Sequence, residues 1–175
     1  MTPIRGRVTL MIGTDENRGK LLTLCIVHDA DGGRVLLGMK KKGFGAERWN
    51  GFGGKVEPGE TVVAAAIREL QEEAGIEAVA IMPQARLRFT HDVDDRELDV
   101  HVFLVSEFSG EPVETDEMSP KWFAVEEIPY DAMWQDDRHW LPRFLAGEAL
   151  MGKFHFVNLD DQQAKLLRHT IGALS

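Results

Sequence analysis

Between Gly54 and Ile76 the chain gathers Glu69, Glu72 and Glu73 at spacings that a helix would bring to one side. Thr61, just after Pro58-Gly59, supplies an N-cap. Ala64, Ala65 and Ala66 favour helix, and Gly75 ends it, so the segment predicts a helix over Glu60–Ala74. Like charges in one patch repel unless something neutralises them. A hard divalent cation with oxygen ligands does so, and magnesium suits carboxylates combined with substrate phosphates. Gly53 and Gly54 let the backbone approach a ligand closely, and a glycine carbonyl there offers a further oxygen. Arg68 follows Glu60 by about two helical turns, so an ion pair between them would tie the preceding loop to the helix. Alone, a Glu-x-x-Glu-Glu string also describes a solvated acidic face.

The remaining chain predicts strands on either side of this helix. Leu21–Val27 and Arg34–Met39 flank the turn Asp29-Ala30-Asp31-Gly32-Gly33 and read as a hairpin. Alternating segments at about Ile81–His91 and Glu97–Phe108 are joined by a turn over Asp92–Arg96. Lys121–Val125 and Lys153–Leu159 read as strands, Trp134–Leu145 as a second helix. Gln162–Ala173 reads as a short terminal helix capped by Asp160 or Asp161. Trp49–Lys55 reads as a glycine-rich loop. Residues 1–20 read as a partly ordered extension with a short strand over Arg7–Ile12, and residues 21–175 as one domain. Strands flanking a few helices in mixed order indicate an α+β or α/β/α sandwich.

A net charge of −9 argues against tight binding to a nucleic acid polymer, which needs clustered Lys and Arg. No apolar run approaches the roughly 18 residues of a membrane span. The single cysteine, Cys25, cannot form an intramolecular disulfide; a small buried hydrophobe in a cytoplasmic protein is the natural reading.

Gly54, Glu60, Arg68, Glu69, Leu70, Glu72, Glu73, Gly75 and Ile76 match, place for place, the signature box of the Nudix family. The resemblance implies the Nudix fold, a mixed sheet between helices, with the box as a loop-helix-loop. It implies hydrolysis of a nucleoside diphosphate linked to another group. It also implies magnesium, for which manganese can substitute, bound by Glu69, Glu72, Glu73, the Gly53 carbonyl and Glu117. Glu73 or Glu72 is then a principal ligand, and a glutamate inside or outside the helix accepts the proton of the attacking water.

Longer stretches resemble a MutT-like group within the family, the oxidised purine nucleoside triphosphatases. They include Leu36–Ala46, Arg48–Lys55, Asp99–Phe103, Glu114–Met118 and Asp131–Asp137. This likeness implies a monomer that acts on a small nucleotide and releases pyrophosphate. Asn50, Trp134, Asp136 and Asp137 would form the base pocket. Thr23, Phe44, Phe89, Leu98 and Met118 would line it, with Phe52, Gly53, Gly54 and Lys55 also binding substrate and Lys40 near its polar end. Leu98 stands where a methionine is usual in that group, a volume-neutral exchange with a modest effect on the pocket. Two adjacent carboxyl groups in a semi-enclosed pocket do not both ionise easily. One protonated and one ionised Asp satisfy a guanine-like edge, and moving the proton suits a different donor pattern. Tolerance for both 8-oxo-guanine and 2-oxo-adenine nucleotides is therefore expected. The rival expectations are another Nudix activity, on ADP-ribose or a dinucleotide, and an inactive nucleotide-binding Nudix domain.

Overall fold

The computed structural model describes residues 19–93, 96–158 and 163–175. Strand β1 (Lys20–Asp29) organises the sheet because one of its edges is shared. Residues Leu22–Cys25 pair antiparallel with β4 (Phe52–Lys55), and Val27–Asp29 pair with β2 (Arg34–Lys40). The other edge runs parallel to β6 (Leu98–Ser109). The path continues antiparallel to β5 (Glu77–His91), parallel to β8 (Leu150–Val157) and antiparallel to β9 (Lys165–Ala173). On the far side, β2 pairs with β3 (Trp49–Asn50) and β7 (Met118–Ala124). The result is the mixed sheet expected, nine-stranded among the described residues.

Successive strand residues point to opposite faces, and here both faces are apolar. Ile26, Val35, Leu37, Val100 and Val102 pack on one side against Trp140, Leu141 and Phe144 of α2 (Asp137–Leu145). Cys25, Val27, Leu36, Phe103 and Val105 pack on the other against Ala66, Leu70 and Ala74 of α1 (Val62–Ala74). A sheet buried on both faces needs a helix on each, which is the α/β/α sandwich. Helix α1 begins where Thr61 Oγ1 accepts from the Ala64 N–H at 3.2 Å, and ends at Gly75, whose N–H bonds to the Gln71 carbonyl. Cys25 lies between α1 and the sheet, its thiol near the Ala66 carbonyl and its pKa pushed up to about 12 by burial, consistent with a packing role. No helix among the described residues is long and apolar enough to cross a membrane.

Four expectations need correction. The terminal helix over Gln162–Ala173 is instead strand β9, which starts at Lys165. Strand β8 would otherwise leave a row of backbone groups unpaired, and β9 satisfies that edge along its length. The glycine-rich loop at Trp49–Lys55 contains the short strands β3 and β4, held by pairing with β2 and β1 rather than by their own propensity. Helix α2 starts at Asp137, so Trp134 lies in the preceding turn. Strand β5 begins at Glu77, earlier than expected, with register shifts on either side of Ala80 and at Pro83. The strand over Arg7–Ile12 and the caps Asp160 and Asp161 lie outside the described residues.

Candidate active site

Helix α1 packs over β4, and this brings the box acids against the glycine strand. The Gly53 N–H donates to Glu73 Oε1 at 2.7 Å, so strand and helix are joined at the carboxylate itself. Glu73 is buried, and its pKa is pushed up to about 8, first by loss of water and then by Glu69 and Glu117; the Gly53 N–H and Lys40 pull the other way. Glu69 is also raised, by burial, against the opposing pull of Arg68. Arg68 is the organiser. Its guanidinium donates to Glu60 at 2.7 Å and 3.1 Å, to Glu69 at 2.9 Å, to Glu72 at 3.2 Å and to the Lys55 carbonyl at 3.1 Å. The expected Arg68–Glu60 tie between loop and helix is thus present.

The glutamates do not present one even face. Glu72 is 57% exposed, turned toward Arg68 and outside the cavity walls. Glu69 and Glu73 face the glycines. Glu117 is exposed on the segment before β7, which is held by the bond from Lys41 N–H to the Glu117 carbonyl and by Thr115 Oγ1 donating to the Glu73 carbonyl at 3.0 Å. That placement explains why Glu117 acts electrostatically on both Glu69 and Glu73.

The side chains fit a divalent cation. Glu73 is a buried carboxylate whose Oε1 accepts from the Gly53 N–H, and a Cβ at Gly54 would overlap the Glu69 carboxylate. Among the described residues no three acids or histidines form a ready-made metal cage. Magnesium retains waters and substrate oxygens, so one or two protein carboxylates are an ordinary donor set for it. The two glycines should respond differently to substitution. In Gly53→Ala the new methyl meets the Thr23 backbone, which cannot give way, so a loss of about 1–3 kcal/mol in chemical denaturation is expected. In Gly54→Ala its nearest contacts are the movable end of Glu69, so turnover should fall well before stability does.

Glu73, Gly53, Gly54, Lys55 and Lys40 open onto a cavity of about 800 Å³. The same cavity is lined by Thr23 of β1, Phe89 of β5, Leu98 of β6 and Met118 of β7. Asn50 and Phe44 reach it from the β2–β4 side, and Trp134, Asp136 and Asp137 from the turn into α2. Phe52 is the exception among the expected lining residues. It is fully buried on the opposite sheet face, in the core under α1, because alternate residues of β4 point to opposite faces. Sequence reasoning missed Trp140 and Phe156, which also line the cavity. The alternation of Phe154 and Phe156 in β8, and the i+3 spacing of Trp140 from Asp137, were the available signals.

Trp134 is held by its neighbours. Phe44 stacks on it at 5.1 Å, Arg48 lies 4.1 Å from its ring centroid and Phe156 meets it edge-on at 6.3 Å. Asp136 and Asp137 are 3% and 4% exposed. Asp136 Oδ2 accepts from Trp140 Nε1 at 2.9 Å, and burial pushes its pKa up to about 6. Asp137 is raised well above the usual range by burial and by the charge of Asp136. Two buried polar atoms in the cavity wall, Thr23 Oγ1 and Asp137 Oδ2, have no hydrogen-bond partner among the described residues. Such orphans indicate a polar ligand.

The NUDIX domain model matches residues 20–144 of this sequence. The chain belongs to the Nudix family. Among Nudix proteins, it is 47% identical over 141 residues to the oxidized purine nucleoside triphosphate hydrolase of Danio rerio, covering 81% of this chain and 89% of that one. It is 43% identical to the Mus musculus protein of the same name over the same shares. A crystal structure of a mutator MutT protein from Bacillus halodurans superposes with a TM-score of 0.72 at 24% identity, covering 87% of this chain and 97% of that one. That likeness bears on the fold, which is the Nudix fold. The chain is a Nudix hydrolase.

Proposed function

We propose that the chain hydrolyses oxidised purine nucleoside triphosphates, 8-oxo-dGTP and 2-oxo-dATP among them, to the monophosphate and pyrophosphate. The observation that carries this reading is a single cavity lined both by Glu73 with the Gly53–Gly54 strand and by the Asp136–Asp137 pair with Trp134. Its volume, about 800 Å³, falls in the range of pockets for molecules of nucleotide size. The two vertebrate relatives named for the same activity support it.

In this reading Trp134 and Asn50 hold the purine, and the Asp pair reads its hydrogen-bonding edge. Lys40 offsets phosphate charge beside Glu73. Glu69 and Glu73, with the Gly53 carbonyl and Glu117, would hold magnesium, or manganese in its place; Glu72 would join them only by leaving Arg68. Bound there, the cation neutralises phosphate charge and acidifies a water. Glu73 and Glu117 are the candidate acceptors of the proton that the water loses. In this reading the working unit is residues 21–175, acting as a monomer.

The test is pyrophosphate release from a panel of 8-oxo-dGTP, 2-oxo-dATP, O6-methyl-dGTP, dGTP and ADP-ribose. Release from the oxidised purines, abolished by a chelator and restored by magnesium or manganese, is expected. Turnover of ADP-ribose alone would move the chain to another Nudix activity. No turnover, with thermal stabilisation by a nucleotide, would make it a binding domain.

A further inference from the structure

Gln135 sits between Trp134 and Asp136 yet lies outside the cavity walls. Its Oε1 accepts a hydrogen bond from the Leu166 N–H of β9 at 2.7 Å, 31 residues away in sequence. Leu166 lies opposite Phe156 of β8, the same Phe156 that lines the cavity and meets Trp134 edge-on. The β8–β9 register shifts at this point. His155 faces Arg168 and Phe156 faces Leu166, which leaves Leu167 without a partner across the ladder. A bulge of this kind bends a strand locally and re-aims its end.

A second tie lies within the first turn of α2. His139 stacks on His169 of β9 with ring centroids 4.2 Å apart, and His169 stacks in turn on Phe154 at 5.8 Å. The His139 N–H also donates to the Asp136 carbonyl at 2.9 Å. The segment Trp134–Asp137 is therefore fastened to the C-terminal strand at Gln135 and again at His139. His139 and His169, like Gln135, lie outside the cavity walls.

We infer that β9 is a positioning element for base recognition, with Gln135 and His139 as positioning residues that set how Trp134, Asp136 and Asp137 meet the purine. The inference rests on the proposed reading of the Asp136–Asp137 pair as the base-reading group. Hydrogen bonds to a base edge tolerate only about 0.5 Å of misplacement, so a side-chain latch next to the reading groups bears on selectivity before it bears on folding.

The experiment compares kcat/KM for 8-oxo-dGTP and for dGTP in the intact chain and three variants. Gln135→Met removes the acceptor oxygen at nearly constant length, and Gln135→Glu keeps an acceptor. His169→Ala removes the ring beneath His139. Loss of a single neutral hydrogen bond corresponds to about three- to tenfold. Gln135→Met should therefore lower the 8-oxo-dGTP to dGTP ratio by about that factor, chiefly through KM for the oxidised substrate. Gln135→Glu should restore the ratio, and His169→Ala should move it in the same direction as Gln135→Met. A variant that merely folds less well loses both activities alike and keeps the ratio. An unchanged ratio in Gln135→Met, beside a discriminating parent, overturns the inference and leaves the substrate reading standing. A parent chain with no preference for the oxidised base overturns both.

Discussion

Glu73→Gln should lower kcat for pyrophosphate release by about 10²–10⁴-fold, the range associated with losing a positioned acid–base group. The substitution keeps the shape of the side chain and keeps an oxygen to accept the Gly53 N–H, the bond that now spans 2.7 Å. What it removes is the capacity to ionise when a cation binds. Glu73 is 5% exposed, and ionised carboxylates at such depth are costly without a cation beside them. The cation-free variant should therefore melt at or above the temperature of the parent. Adding magnesium should raise the melting temperature of the parent by mass action, and that of the variant much less. Loss of activity without loss of stability separates a ligand or base from a core residue. Full turnover by Glu73→Gln would remove the carboxylate cluster from the chemistry altogether.

How much of this was legible beforehand differs from residue to residue. Helix α1 was readable because every local signal agreed: Thr61 caps it, the alanines favour it, Gly75 closes it. The Arg68–Glu60 tie followed from spacing alone. The Arg68–Glu72 pair, at i and i+4, was equally available, and it explains why Glu72 is turned toward Arg68 and outside the cavity walls. Strand β9 was misread because most of its residues are exposed and carry little alternation; its conformation is imposed by the edge of β8. Phe52 was misassigned for a related reason. A glycine-rich stretch gives no periodicity from which to tell its inward face. Part of the cavity wall comes from β1, β5, β6 and β7, and no spacing rule joins Thr23 to Phe89, Leu98 and Met118. That grouping came from resemblance, and the tertiary fold supplies its physical basis by bringing four strands to one opening.

The Asp136–Asp137 pair carries the second large expectation, a change of base preference in Asp137→Asn. The pair is buried, and the two side chains are hydrogen-bonded to each other. Asp136 also accepts from Trp140 Nε1, a bond that favours its ionised form and holds its rise to about 6. Asp137 lacks that advantage to the same degree and feels the charge of Asp136, so it retains its proton to higher pH. Near neutrality the pair thus offers one acceptor and one donor, and the unpartnered Asp137 Oδ2 lies in the cavity wall. If substrate can draw the proton across, the pair reads two donor patterns; an asparagine at 137 cannot exchange it. One of 8-oxo-dGTP and 2-oxo-dATP should then keep most of its kcat/KM while the other falls about 10–100-fold, the worth of a well-formed base-edge pair. Equal rates on both would end the shared-proton account. Stability gives an independent reading of the same proton. Both folded-state values lie above the unfolded one, so the native pair binds protons more tightly than the unfolded chain. Its contribution is complete below about pH 4 and is lost as pH rises, through about 6 for Asp136 and higher for Asp137. Asp137→Asn removes the second of these losses, so its melting temperature should gain on that of the parent steadily as the pH is raised from mildly acidic to alkaline.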